Sequence, residues 1–495
     1  MTGGRGKHRR RLLPALLAVA TIAGAALGTP SWAGADTDLG TRSSNPPEST
    51  QQLVQEFSKV TRLRIAPNSM CLTVLLDDQV IVDDQSDSAL VPASLMKIVT
   101  AAAALDVLGP DATYSTEVFV RIASLGSVSD GTFHGDVYLV GGGDPVLNTP
   151  GYGGRIPDPV AYTDVTELAD RVRQSLASMG IRRIDGRIVG DDSRYPDRVR
   201  DYYGEFRPDG DDPVWRYSDD TVNFVGPLSG LLINDGYVSY TWKTGILDRL
   251  EYVRTVAPTR HAASLFDDLL EARGLVITRR PQAGTSPPRS QLTSLASIES
   301  PDVSRIVARM LTRSDNTIAE MLLKEIGYRT LGSARAIAVE VVEGVMRQTL
   351  GPIAAGIDIA DGSGLSRYNR LTCAAVAELL RQAGPHSPLV AGLAVAGRSG
   401  TLKTCGPATW PPIEGSPNAV YAKTGTAHLS NSLAGLAQAP NGETVTFAMI
   451  ANQRHMDQLD KCNALRRTLI NAAARYTYGP VTEFPQESGF LTPPG

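Results

Sequence analysis

The sequence predicts an α+β fold: an antiparallel sheet flanked by helices, assembled from both ends of the chain and interrupted by a large strand-rich insertion. Three observations lead there. Cys71 to Asp83 alternates in part and turns at Asp77-Asp78-Gln79, giving a hairpin, and the alanine-rich stretch Ser94 to Leu108 gives a helix stopped by Gly109-Pro110. Near the other end, Leu433 to Asn452 reads as a second hairpin turning at Pro440-Asn441-Gly442, followed by helical periodicity from Met456 to Tyr476, and these strands can pair with the early hairpin. Finally, 216 residues separate Lys97 from Ser314, far more than a connection needs, and the stretch from about Tyr114 to Arg289 is rich in strand and turn signals. The expected organisation is a discontinuous main domain, 56–113 with 290–495, around an inserted domain, 114–289.

The first 35 residues carry Arg5, Lys7, Arg9, Arg10 and Arg11, an apolar run from Leu12 to Leu27, and Ala33-Gly34-Ala35 before Asp36. That pattern is a secretory signal peptide, with an uncleaved membrane anchor as its alternative, and it places the protein in the periplasm or cell wall, outside the cytoplasmic membrane. Residues 36–55, rich in Ser, Thr, Pro and Gln, read as a flexible leader. Loss of the signal takes the formal charge from −4 to about −9. An acidic chain without a basic cluster is not built to hold nucleic acid, and no later segment is long and apolar enough for a stable membrane span. Cys71, Cys373, Cys405 and Cys462 permit two disulfides with three possible pairings in an exported chain. Their spacing and the scattered histidines argue against a metal site, and nothing calls for a cofactor.

Chemistry is concentrated in three short motifs in one order: Ser94-Leu95-Met96-Lys97, Ser314-Asp315-Asn316 and Lys423-Thr424-Gly425. Positions i and i+3 of a helix share a face, which sets the Lys97 amine beside the Ser94 hydroxyl. A serine needs a nearby base to become a nucleophile, and a desolvated lysine can be that base. Ser314 can relay a proton, Asn316 can hold a peptide amide, and Lys423 with the hydroxyls of Thr424 and Thr426 can bind a carboxylate. The backbone N–H groups of Ser94 and Thr426 are the natural oxyanion donors by motif position. A lone Ser-x-x-Lys arises by chance about once in a chain this long, but all three motifs in order are a strong signal. A second Lys-Thr-Gly, Lys243-Thr244-Gly245, precedes the Ser-Asp-Asn motif and ends a strand-like run from Gly236, so it is read as an ordinary surface strand. The run Gly141-Gly142-Gly143-Asp144-Pro145 lacks the ending of a phosphate loop and is read as a tight turn.

Taken with these motifs, Gly143-Asp144-Pro145-Val146-Leu147, Ser314-Asp315-Asn316-Thr317-Ile318-Ala319-Glu320, Asp361-Gly362-Ser363-Gly364-Leu365-Ser366-Arg367, Gly400-Thr401-Leu402 and Lys423-Thr424-Gly425-Thr426 make the chain resemble the class C low-molecular-mass penicillin-binding proteins. These are D-alanyl-D-alanine carboxypeptidases and endopeptidases. The resemblance implies a serine β-lactamase/transpeptidase-like domain with an insertion commonly divided into two subdomains. Its substrates would be peptidoglycan stem peptides: Ser94 is acylated by the penultimate D-alanine carbonyl, D-alanine or a cross-linked amine leaves, and water frees the enzyme. β-Lactams would inhibit by stalling at the acyl-enzyme. The resemblance also suggests that Arg367 pairs with the diaminopimelate side-chain carboxylate, a structural salt bridge being the equal alternative. Asp361 and Ser363 are read as shaping a Gly-rich turn.

The rivals are fewer. Gly397-Arg398-Ser399-Gly400-Thr401 breaks the elbow pattern an α/β-hydrolase needs. A β-lactamase shares the motifs, but the extra carboxylate that serves class A deacylation has no evident place, and the large insertion is foreign to such small enzymes. A non-catalytic wall-binding scaffold would be expected to have lost a motif residue, and none is missing.

Overall fold

The computed structural model describes residues 48–63, 66, 68–154, 162–195, 225–243, 249–405, 419–439 and 441–478. The signal segment and most of the expected leader lie outside them, as do Thr244 and Gly245 of the second Lys-Thr-Gly. No helix among the described residues is long and apolar enough to cross a membrane.

A six-stranded antiparallel sheet runs in the order Ala394–Val395, Tyr421–Ala427, Ser430–Gln438, Thr444–Asn452, Met70–Leu76, Gln79–Asp84. The two hairpins read from sequence are therefore both present, and they are joined as expected: Met70–Leu76 pairs with Thr444–Asn452 from Met70↔Ala451 to Leu76↔Val445. Side chains alternate across each strand. Val445, Phe447, Met449 and Ala451 enter one core with Leu72 and Val74, whereas Ala448 and Ile450 enter the other with Cys71 and Leu75. The second core holds the buried helix Met96–Val107 together with Val303–Arg313, Asn316–Thr330 and Cys373–Ala383. Small residues on both sides, Ala434 and Ala448 on the sheet and Ala101, Ala103 and Ala104 on the helix, let these layers approach. A disulfide joins Cys71 to Cys373, sheet to helix, while Cys405 and Cys462 are free and buried. Of the two disulfides the four cysteines permit, one is formed.

The opposite face corrects two expectations. The composition of residues 36–55 predicts a leader, but a helix spans Glu48–Ser58 and buries Leu53 and Phe57, with Val60 just beyond it. That i, i+4, i+7 spacing outweighs the polar composition of the stretch. The C-terminal helix, expected from Met456, begins at Ala464; Met456–Gln458 is a separate 3₁₀ turn preceded by His455 with a φ of 65°.

Within the long intervening segment, a second sheet of five strands runs Gln282–Ala283, Ile188–Asp191, Val137–Val140, Ser115–Arg121, Leu292–Glu299, covered by the helices Val165–Ser178 and Pro258–Glu271. Its entering and leaving strands are neighbours, paired from Ser115↔Glu299 to Arg121↔Leu292. The chain thus departs from and returns to the same place, and the Val303–Arg313 helix starts beside the end of Met96–Val107, with Val303 N–H donating to Ala112 O at 2.9 Å. The inserted sheet extends ten residues past the expected limit at 289, because Leu292–Glu299 completes it. The run ending at Lys243 is a strand, Tyr237–Lys243, as read from its aromatic and β-branched content. The glycine run before Asp144 departs from the expected tight turn: Gly141 and Gly143, the latter with a φ of +84°, donate their N–H groups to the distant Asp191 O and Gly230 O, and the turn comes after it, at Pro145-Val146.

Candidate active site

Ser94 lies in a 3₁₀ turn, Ala93–Leu95, that leads into the Met96–Val107 helix rather than in the helix itself. The segment before it is tied to the main sheet: Val91 N–H donates to Asn452 Oδ1 at 2.8 Å, and the Ser430 and Ser432 hydroxyls donate to Val91 O and Pro92 O at 2.6 and 2.8 Å. Ala93 has a φ of 50°, a left-handed conformation costly for a side-chain-bearing residue, and these bonds hold it there.

Lys97, fully buried, brings the first two motifs together. Its Nζ is 3.1 Å from Ser94 Oγ, 2.6 Å from Asn316 Oδ1 and 2.5 Å from Ser363 O. Burial pulls its pKa down from 10.5 to about 8, against the carboxylates of Asp361, Glu320 and Asp315, which pull upward. A buried lysine with that pKa is partly a free amine near neutrality, the state a general base requires.

Ser314 and Asn316 flank a helix junction. Ser314 caps the C-terminus of Val303–Arg313 in the left-handed region, with a φ of 60°, and Asp315 caps the next helix by accepting Ile318 N–H at 3.0 Å. The order Ser-Asp-Asn is thus a break, a cap and a first helical residue, and it turns Asn316 toward Lys97.

The third motif lies on Tyr421–Ala427. The short strand Ala394–Val395 covers only Ala422 and Tyr421, so among the described residues no strand pairs with that side of the chain from Lys423 onward. Gly425 lets this edge lie against the Ser94 turn: a Cβ there would come 2.6 Å from Pro92 O and 3.2 Å from Ser94 N. Lys423 is buried, its Nζ donating to Thr424 O at 2.7 Å, and its pKa falls well below 10.5 through burial and the neighbouring positive charges of Lys97 and Arg466. Thr424 donates its hydroxyl to Thr401 Oγ1 at 2.8 Å.

The Asp361 to Arg367 loop forms the remaining wall. Asp361 accepts Gly364 N–H at 2.8 Å and Ser366 N–H at 2.7 Å, which is the turn-shaping role read for it. Gly364, with a φ of +84°, abuts Ala93 O so closely that a Cβ would lie 1.9 Å from it. Glu320 holds the loop from below by accepting Ser363 N–H at 2.8 Å; burial and the Asp361 carboxylate push its pKa up to about 7. Arg367 donates to Tyr368 OH at 2.7 Å and lies over that ring. The inserted segment also reaches the site helix: Gly226 N–H donates to Thr317 Oγ1 at 2.9 Å, and Arg194 grips Glu325 at 2.9 and 2.5 Å.

Sequence reasoning assigned no role to Glu320, Thr401 or Arg466. Arg466 left a signal: it falls among Leu465, Leu469 and Ile470 at the phase of the buried helix face, where a charge needs a reason.

Comparison with known proteins agrees with the fold. The profile of the D-Ala-D-Ala carboxypeptidase 3 (S13) family matches residues 50–248 and 244–472. A D-alanyl-D-alanine carboxypeptidase from an Actinomadura species is 30% identical over 430 residues, spanning 73% of each chain. A carboxypeptidase from Mycobacterium tuberculosis is 29% identical over 397 residues, spanning 77% of this chain and 76% of the relative. Among solved structures, penicillin binding protein 4 from Haemophilus influenzae superposes with a TM-score of 0.60 at 20% identity, over 85% of this chain and 98% of that one. A predatory peptidoglycan endopeptidase from Bdellovibrio bacteriovorus does so with a TM-score of 0.51 at 17% identity, over 86% and 96%. Both share the α+β architecture. Because the family profile spans nearly all the described residues, this protein belongs to the D-Ala-D-Ala carboxypeptidase 3 family.

Proposed function

We propose that this protein is a serine D,D-peptidase that cleaves the D-Ala-D-Ala bond of peptidoglycan stem peptides through an acyl-enzyme on Ser94. The observation that carries the reading is the buried Lys97 amine 3.1 Å from the Ser94 hydroxyl, with its pKa drawn down to about 8. The neutral amine takes the Ser94 proton as Oγ attacks the penultimate D-alanine carbonyl. The N–H groups of Ser94 and Thr426 receive the oxyanion, and Asn316 holds the peptide amide. Lys423, Thr424, Gly425 and Thr426 form the edge that takes the terminal carboxylate, and Ser314 with Lys423 returns a proton to the leaving nitrogen. Water then releases the acyl group.

The same site accepts β-lactams as substrate mimics, since their ring carbonyl and carboxylate offer the same two groups. Arg367, at the rim of the Gly364 turn, receives the carboxylate of a diaminopimelate side chain, which would extend the activity to D-Ala-diaminopimelate cross-links. The basic-then-apolar N-terminus carries the chain out to the wall where these substrates lie. D-Alanine release from an acylated tripeptide ending in D-Ala-D-Ala tests the reading. Release by the wild type and its loss in Ser94→Ala are expected, whereas unchanged release by Ser94→Ala would overturn it.

A further inference from the structure

Arg466 reaches the carboxylate-binding edge from behind. It sits on Ala464–Tyr478, on the opposite face of the sheet from the Met96–Val107 helix, and is 2% exposed. One nitrogen, Nη2, donates to both Gly425 O at 2.6 Å and Thr426 Oγ1 at 2.7 Å, and Nη1 donates to Lys461 O at 2.7 Å.

The polarity of the Thr426 contact has a chemical consequence. A guanidinium only donates, so Thr426 Oγ1 must accept from Arg466, and its own proton is left for another partner. Among the described residues no acceptor takes that proton. Thr426 itself is exposed, and it lies on the strand edge that runs past Ser94. A ligand atom meeting this hydroxyl therefore meets a donor already polarised by a cation.

The charge balance points the same way. The positive charges of Lys97 and Arg466 both bear on Lys423, and among the described residues neither Lys423 nor Arg466 is paired with a carboxylate. Burial, reinforced by these two charges, drives Lys423 toward the neutral amine, while Arg466, lowered by burial only to about 10, keeps its charge at neutral pH.

We propose that Arg466 is the positioning residue for anion selectivity: it fixes the Thr426 hydroxyl as a proton donor and supplies the permanent positive charge that makes this edge prefer a ligand carboxylate. The inference rests on the acyl-enzyme function proposed above and assigns its carboxylate specificity to a residue that does not touch substrate.

The test compares acylation of Ser94 by benzylpenicillin, which carries a free carboxylate, with acylation by its methyl ester. For Arg466→Gln and Thr426→Val, the second-order rate constant with the acid is expected to fall roughly 10- to 100-fold, with the ester changing by less than about threefold. Arg466→Lys, which keeps the charge but not the fork, is expected to recover part of the preference. Thr426→Val keeps the guanidinium and its bond to Gly425 O, so it reports on the hydroxyl without disturbing the packing of Arg466. Equal losses for acid and ester in both variants would overturn the inference and leave the acyl-enzyme reading standing. Failure of both ligands to acylate the wild type would overturn that reading and this inference with it.

Discussion

Lys97 Nζ lies 2.6 Å from Oδ1 of Asn316, a residue 219 positions away in the chain. With Ser363 O at 2.5 Å, this gives the amine two neighbours that, as oriented, only accept. A neutral amine has two protons and one lone pair. Both protons are used by these acceptors, so the lone pair is left toward Ser94 Oγ at 3.1 Å. The bond to Asn316 therefore orients the amine as well as joining two motifs.

Acylation should consequently follow the deprotonation of Lys97. The folded pKa is lowered, from 10.5 to about 8, so the reactive free base accumulates as pH rises through 8. At pH 7 about a tenth of the molecules carry it. The rate of fluorescent-penicillin labelling is expected to climb between pH 6 and 9 with a midpoint near 8. Asn316→Asp sets a carboxylate beside the amine, favours the charged form, and is expected to move that midpoint up by about one unit or more. A flat profile in the wild type would remove Lys97 from the role of base.

Glu320 acts on the same equilibrium with the opposite outcome on removal. Its pKa is raised to about 7, so above that pH it is ionised and helps keep Lys97 protonated. Glu320→Gln retains an oxygen to accept Ser363 N–H but loses the charge. The labelling midpoint is expected to fall below 8, and an upward shift would contradict the electrostatic role.

Two glycines with positive φ should respond differently to alanine. At Gly364, φ +84°, a methyl group would lie 1.9 Å from Ala93 O and 3.0 Å from Ser94 N. At Gly442, φ +89°, it would meet nothing within 4 Å. Gly442→Ala is expected to cost about 1 kcal/mol of stability and leave acylation unchanged. Gly364→Ala should cost more than that and slow acylation by an order of magnitude or more, because the loop cannot move off Ala93 without carrying the Lys97 acceptor Ser363 with it. Thermal unfolding and labelling rates measured together separate the two effects.

The cysteines are chemically distinct. Alkylation of the denatured, unreduced protein is expected to modify Cys405 and Cys462 only, and prior reduction to expose Cys71 and Cys373 as well. Reducing the bond that closes a separation of 302 residues should lower stability by roughly 2–4 kcal/mol, read as a drop in Tm.

Much of this molecule was legible in its residues because the relevant signals are local. The Asp77 and Asn441-Gly442 turns, the alanine-rich helix after Ser94 and the spacing of Ser94 to Lys97 each depend on neighbours within a few positions. What stayed hidden depends on partners far apart in sequence. Ser363 contributes a backbone carbonyl, which no residue identity reveals. Arg466 matters through Thr426, 40 positions earlier, and Glu320 through a loop 43 positions later. The Glu48–Ser58 helix was obscured because its few apolar residues are sparse and only the Ala464–Tyr478 helix and the sheet give them something to cover. The pairing of Cys71 with Cys373 likewise follows from sheet and helix packing that composition does not fix.

Intact-protein mass spectrometry after exposure to benzylpenicillin, followed by peptide mapping, bears on the whole assignment. A single penicilloyl adduct on Ser94 that persists for minutes, absent from Ser94→Ala, is expected. An adduct on another residue, or undiminished labelling of Ser94→Ala, would overturn Ser94 as the nucleophile, and rapid loss of the adduct with hydrolysed drug would identify a β-lactamase instead.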